Sequence, residues 1–282
     1  MSSTTAKLLV VGTPIGNLGD LSPRGREALS AADLILAEDT RVARHLCQLA
    51  DIRAGRMLSL FEHNESQRCG QVLDEIHAGM SVALISSAGT PLMSDPGFRI
   101  VRACREAGID VVPVPGPSAV TTALMASGLP PYPFTFLGFL PRKRGDRRQT
   151  LLPFAELKTT LVFFERKSRL RETLEVAAGV LKDREACLAR ELTKQHEEFI
   201  LFRLGDSISD SLELRGEFTV LIGPPDEASS VTGSAEVREL IVRELGQGGR
   251  PKDIVSRVQS RVQGWASKEL YAMVLELRGH SG

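Results

Sequence analysis

The chain has 282 residues, enough for two α/β domains, and its 42% hydrophobic and 25% charged content is that of a folded protein with a core of its own. Lys+Arg and Asp+Glu balance at 35 each, so overall charge excludes bulk attraction to polyanions and leaves it to local patches. Four scattered cysteines (Cys47, Cys69, Cys104, Cys187), without a C-x-x-C pair or histidines at ligand spacing, argue against a disulfide framework or zinc site and for a reducing cytoplasm.

Residues 1–7 read as a short polar lead, and the apolar run that follows is too short for a signal peptide or a membrane span. A cytoplasmic protein without a bound metal is expected. Apolar runs of strand length then alternate with segments of helical period, the pattern of βα units around a parallel sheet. Strands are predicted at 8–11, 34–37, 57–61, 82–86 and 111–114. Ser22 and Pro23 open a helix to about Ala32, Thr40 caps one towards Ala50, and another spans about Ser66 to Ala78. Two more run to about Ala107 and, capped by Ser118, to about Ser127. Leu129-Pro130-Pro131-Tyr132-Pro133 resists regular structure and reads as a linker. Beyond it, strands at 135–139, 161–165, 187–190, 198–203 and 218–222 enclose a helix at about 170–181. The runs 161–164 and 220–222 are apolar without alternation, as for strands covered on both faces. Residues 226–234 read as a polar linker, followed by helices at 235–245 and 253–262 and a third after Ser267. The expected organisation is an N-terminal α/β domain (1–128), a second α/β domain (129–225), and a linker with a small helical tail (226–282).

Three strand-to-helix loops share one style. Gly12-Thr13-Pro14-Ile15-Gly16-Asn17-Leu18 fits neither G-x-G-x-x-G nor a P-loop, but its prolines and glycines allow close backbone approach to a flat ligand. Ser86 to Gly97 holds small residues, two prolines and Asp95 before a helix start, and Pro115-Gly116-Pro117-Ser118-Ala119 repeats the pattern. Three such loops at one end of a parallel sheet describe a ligand cleft. Acid–base candidates near strand ends are Glu38, Asp39, Glu62, His63, Glu191 and Lys194. Arg142, Lys143, Arg144, Arg147 and Arg148 crowd a predicted loop around Asp146, an arrangement suited to RNA phosphates. Arg250, Lys252, Arg257 and Arg261 in the tail offer either a second RNA surface or a helical cap.

These motifs occur in order with Ala37-Glu38-Asp39-Thr40-Arg41, His63-Asn64-Glu65, Gly138-Phe139-Leu140-Pro141 and Arg190-Glu191-Leu192-Thr193-Lys194. Together, over about residues 8–223, they resemble the bacterial 16S rRNA (cytidine-1402-2′-O)-methyltransferase family of the tetrapyrrole-methylase superfamily. The resemblance implies two α/β domains with S-adenosylmethionine folded into the cleft between them, a cytidine ribose in small-subunit 16S rRNA as acceptor, and a homodimer. It places the donor against Pro14, Ala88, Gly89, Thr90, Ser94, Asp95, Ser118, Ala119, Phe164 and Glu165, and it favours Glu191 and Lys194 among the strand-end catalytic candidates, with His63 and Asp39 kept beside them. The chain departs from the family pattern twice. Ser87 stands where the family usually has Asp, and Glu165-Arg166-Lys167-Ser168-Arg169 replaces the usual Glu-Ser-Pro-His-Arg. A porphyrin or corrin C-methylase on the same scaffold, and a non-catalytic RNA-binding ribosome factor, are the competing readings.

Overall fold

Five short strands make the first sheet of the computed structural model, which describes residues 6–206, 216–226, 232–262 and 264–279. They are β1 (Leu8–Val11), β2 (Leu34–Ala37), β3 (Arg56–Ser59), β4 (Val82–Ile85) and β5 (Val111–Val114). All pair in parallel, in the order β3-β2-β4-β1-β5. Alternate side chains go to opposite faces. Leu9, Val11, Ile35, Ala37, Ala83 and Ile85 join a core with α1 (Pro23–Ala31) and α2 (Thr40–Leu49). Leu8, Leu34, Leu36, Val82 and Leu84 pack with α3 (Glu65–His77) and α4 (Phe98–Glu106) on the other face. Because both faces are covered, the inner strands β2 and β4 are apolar and buried throughout, whereas the edge strand β3 begins at exposed Arg56.

The helix starts follow local chemistry. Ser22 accepts a hydrogen bond from the Gly25 amide at 3.0 Å, and Pro23 occupies the first helical position. α2 is capped by Asp39, not Thr40: Asp39 is extended and accepts from the Arg41 amide at 2.8 Å, whereas Thr40 is already helical. Ser118 holds the capping position of α5 (Ala119–Ala126) without bonding to it through its side chain.

The second sheet is mixed. It contains β6 (Phe134–Phe139), β7 (Thr160–Arg166), β8 (Glu185–Arg190), β9 (Glu198–Arg203) and β10 (Glu217–Ile222), in the order β6-β7-β10-β8-β9. β6 and β7 are parallel, and the other pairs are antiparallel. The central strands β7 and β10 carry the two unalternating apolar runs, with Leu161, Val162, Phe163, Val220, Leu221 and Ile222 fully buried. α5 covers one face through Val120, Ala123 and Leu124 against Val162, Cys187 and Leu221. α7 (Lys167–Leu181) lies on the face that bears Glu165, to which its Thr173 donates a hydrogen bond at 2.7 Å.

The basic segment is not a loop. Arg144–Leu151 forms a helix, α6, whose buried side is only Arg147 and Leu151. Its buried face lacks the apolar period by which a helix is read from sequence.

By contacts, the chain divides into two compact units. Met1–Leu152 with Thr159–Gly223 holds both sheets, and Pro153–Lys158 with Pro224–Gly282 holds the tail. In the tail, α8 (Ser234–Gly246), α9 (Pro251–Gln259) and α10 (Ser267–Gly279) pack around Val237, Ile241, Ile254, Val258, Leu270 and Val274. Arg257 and Arg261, with side chains 36% and 53% exposed, are both engaged within the tail. They donate to the fully buried Glu244 carboxylate at 2.6 and 2.9 Å and so act as a helical clamp. Most of the polar lead, and residues 227–231 of the expected linker, lie outside the described residues. Among the described residues, no helix is long and apolar enough to cross a membrane.

Candidate functional site

The three loops predicted to share one end of the first sheet are fastened to one another. Thr13 and Gly89 exchange backbone hydrogen bonds at 2.9 and 3.1 Å, and the Thr13 hydroxyl donates to the Gly89 carbonyl at 3.3 Å. The Thr90 hydroxyl donates to the Pro117 carbonyl at 3.1 Å. In the middle loop, Leu92 and Ser94 sit at φ 70° and 73°, a left-handed geometry that non-glycine residues adopt at a cost. β1 and β4 are neighbours whose loops lead to different parts of the sheet, the arrangement that opens a crevice at strand carboxyl ends.

A cleft of about 700 Å³ lies between this wall and the second sheet. Its first wall includes Ala88, Gly89, Thr90, Ser94, Asp95, Ser118 and Ala119, all anticipated from sequence, together with Ile15, Glu38 and Met93. Its second wall includes the anticipated Phe164, Glu191 and Lys194, joined by Phe139, Arg166 and Glu217. A Cβ on Gly16 would stand 2.7 Å from the Leu192 carbonyl oxygen, so only glycine lets the first loop reach the turn after β8.

Other sequence-derived positions fall elsewhere. Pro14 is not on the cleft surface; its neighbour Ile15 is. Glu165 points away from it. Fully buried, it accepts from Arg169 Nε at 2.8 Å, from Thr173 Oγ1 at 2.7 Å and from the Arg166 amide at 2.8 Å. The period of a strand is two, so Phe164 and Arg166 face the cleft and Glu165 cannot. His63 is exposed and stacks on Phe61, with ring centroids 5.4 Å apart, in the turn before α3. Asp39 is also off the cleft. Its hydrogen bonds with Arg41 hold its carboxyl down to about 2, too acidic for a base near neutrality. Of the adjacent pair, Glu38 is the one in the cleft, and it accepts from the Ser87 hydroxyl at 2.9 Å. Where the family resemblance leads one to expect an Asp, Ser87 thus supports a neighbouring carboxylate.

Asp95 is the cleft's most perturbed acid. Burial, then the Glu38 and Glu217 carboxylates, push it up to about 6. On the second wall, Lys194 donates to Glu191 at 3.2 Å, and Glu191 and Thr193 hold φ values of 49° and 65°. Of the basic segment, Arg142, Lys143, Arg144 and Arg148 are exposed, and Arg144 pairs with Glu175 at 3.2 Å. Arg147 is buried, a correction to its expected role with RNA. It donates to Thr173 at 2.7 Å, to Glu172 at 2.6 Å and to the Arg142 carbonyl at 3.0 Å. Among the described residues, no group of three or more His, Cys, Asp or Glu could hold a metal ion.

Residues 7–207 match the family model for tetrapyrrole (corrin/porphyrin) methylases. The chain is 43% identical over 285 residues to the ribosomal RNA small subunit methyltransferase I of Mycobacterium tuberculosis, covering 99% of this chain and 98% of that one. It is 39% identical over 282 residues to the protein of the same name from Escherichia coli O157:H7, covering 98% and 97%. Among solved structures, it superposes on the methyltransferase CobJ with a TM-score of 0.60 at 21% identity, over 78% of this chain and 94% of that one. Diphthine synthase gives a TM-score of 0.60 at 15% identity, over 82% and 93%. At these identities the structural likenesses establish the fold.

Proposed function

The chain belongs to the tetrapyrrole (corrin/porphyrin) methylase family and, with the small subunit methyltransferase I proteins, is a methyltransferase; we propose that it moves a methyl group from S-adenosylmethionine to the 2′-hydroxyl of a cytidine ribose, position 1402, in 16S rRNA. The observation that carries the acceptor is the near full-length match to relatives named for small-subunit ribosomal RNA. In this reading the protein works in the cytoplasm, as a homodimer, on RNA of the small subunit.

The cleft residues fit the donor. Ala88, Gly89, Ser118 and Ala119 put small residues at the cleft surface, and Glu38 and Asp95 give its first wall the negative charge that would favour a sulfonium. When bound, the donor supplies an activated methyl carbon, so the protein's work is alignment and exclusion of water. Glu191 accepts the ribose proton and the Lys194 ammonium stabilises the oxygen as negative charge develops. Both already stand on the wall facing the donor loops. His63 and Asp39, off the cleft, take no part.

Three measurements test this. Mapping 2′-O-methyl marks on small-subunit RNA from cells with and without the protein should show one mark lost, and an unchanged map would sink the assignment. In vitro, Glu191→Gln should lower kcat by about 10²-fold or more, the usual weight of a general base, with donor affinity unchanged. Methyl transfer to uroporphyrinogen in place of ribosomal subunits would point instead to C-methylation.

A further inference from the structure

β6 and β7 run in step from Phe134 opposite Thr160 to Phe136 opposite Val162, and then Phe139 stands opposite Phe164. Three residues of β6 therefore span two of β7. This is a bulge, with Gly138 inside it at φ 65°. Side chains alternate along a strand, so without the extra residue Phe139 would lie on the face opposite Phe136. The bulge brings it onto the same face. The Phe136 and Phe164 rings meet edge-on with centroids 5.0 Å apart, and Phe139 and Phe164 lie tilted at 5.5 Å.

The aromatic series thus begins in the core, where Phe136 packs beside Val162 and Leu221, and ends in the cleft. Its last ring, Phe139, is 42% exposed. The Arg166 guanidinium lies 5.9 Å over that ring, with its own side chain 67% exposed. Gly138 also permits the approach of the opposite wall, since a Cβ there would be 2.9 Å from Ser94 Oγ. An exposed aromatic ring beside a guanidinium plane, aimed by a bulge into a cleft, has the chemistry of a single-stranded base-stacking platform.

We propose that Phe139, with Arg166 beside it, receives the unpaired base of the nucleotide whose ribose is methylated, an inference that rests on the RNA reading above. A 2′-hydroxyl is already displayed on the shallow minor groove of a stacked helix, but a nucleotide out of the stack can seat its ribose deeper in a cleft, and the platform replaces the stacking that is lost. Arg166 Nε lies 3.8 Å from the Glu217 carboxylate with both side chains 67% exposed, a loose surface pair that leaves the guanidinium free to meet a phosphate while it lies over the Phe139 ring. Arg166 stands where the family pattern has serine, so this chain adds a cation to the acceptor side.

The test uses the full-length protein with small ribosomal subunits from cells that lack it and radiolabelled S-adenosylmethionine. Phe139→Ala should raise KM for subunits about tenfold or more, and Phe139→Trp should restore it to within about threefold, as expected for stacking. Arg166→Ser should raise KM in the same direction. The donor dissociation constant, from titration calorimetry, should stay within about twofold in all three variants, which also reports that they are folded. If Phe139→Ala weakens donor binding and leaves KM for subunits unchanged, the ring belongs to the donor and the proposal is overturned. It is equally overturned if neither quantity moves. Absence of methyl transfer by the unaltered protein removes the RNA reading and the platform with it, an outcome distinct from failure of the platform alone.

Discussion

Asp95 carries its own pH dependence. Burial is the largest cause of its upward shift, and the neighbouring Glu38 and Glu217 carboxylates add to it, to about 6. Since the folded protein holds this proton more firmly than the unfolded chain, the stability it contributes is present below the ordinary value and lost as pH rises through about 6. A cationic donor reverses the preference, because it favours the ionised carboxylate. Below about pH 6, donor binding must therefore expel a proton. Affinity should weaken by up to about tenfold per pH unit as pH falls below that point and level off above it. Titration calorimetry from pH 5 to 8 checks this, with Asp95→Asn expected to flatten the curve; equal slopes in both proteins would exclude Asp95 as the group responsible. The adjacent acids Glu38 and Asp39 show what single residues conceal. Both stand at the end of β2 and are chemically alike in sequence, yet one faces the cleft and the other caps a helix. The capping geometry that decides between them lies in the backbone, at the residue where the strand stops.

At the scale of elements, the loops of the first sheet were readable because proline, glycine and small residues have a direct backbone meaning. Ala88 to Thr90 and Ser118-Ala119 duly line one cleft. The β7 residues were half readable. Strand alternation alone excludes Phe164 and Glu165 from facing the same space, and it would have pointed to Arg166. α6 was not readable, because its inward face is an arginine rather than an apolar stripe. That arginine divides the basic segment into two roles. Arg142, Lys143 and Arg148 are exposed, while Arg147 ties α6 to Glu172 and Thr173 of α7. Replacing the three exposed residues by alanine should weaken RNA binding and reduce the slope of log K against log salt by about 2, at about 0.7 per phosphate contact on single strands. Arg147→Ala should leave that slope unchanged and lower the melting temperature instead. Filter binding between 50 and 200 mM salt, paired with thermal melts, separates the two (concentrations of about the range in which such slopes are read). A slope that responds to Arg147→Ala but not to the triple change would reverse the assignment.

At the scale of the molecule, neutrality overall hides local pairing, and the tail shows it best. Val237, Ile241, Ile254, Val258, Leu270 and Val274 give its helices an apolar core, a pattern that the sequence shows. Its clamp was hidden, because Arg257 and Arg261 read equally well as an RNA surface until Glu244 is seen buried between them. The grouping of Pro153–Lys158 with the tail has no local signal either, since it depends on contacts far apart in the chain. The side-chain hydrogen bond from Arg257 is the largest cause that holds the Glu244 carboxyl below its ordinary value. A depressed acid contributes stability above the ordinary carboxylate value and loses it as pH falls through the depressed one. Acid should therefore loosen α8 and α9, the reverse of the Asp95 effect in the other unit. Glu244→Ala should do the same at neutral pH, removing the one carboxylate that two arginines share. Hydrogen exchange resolved by segment should then quicken across Ser234–Gly246 and Pro251–Gln259. Every cleft residue belongs to the other compact unit, so donor affinity should change by less than about twofold. Unaltered exchange in both helices would show that the clamp contributes nothing to the tail. A large loss of donor affinity would show that the two units do not hold their stability separately.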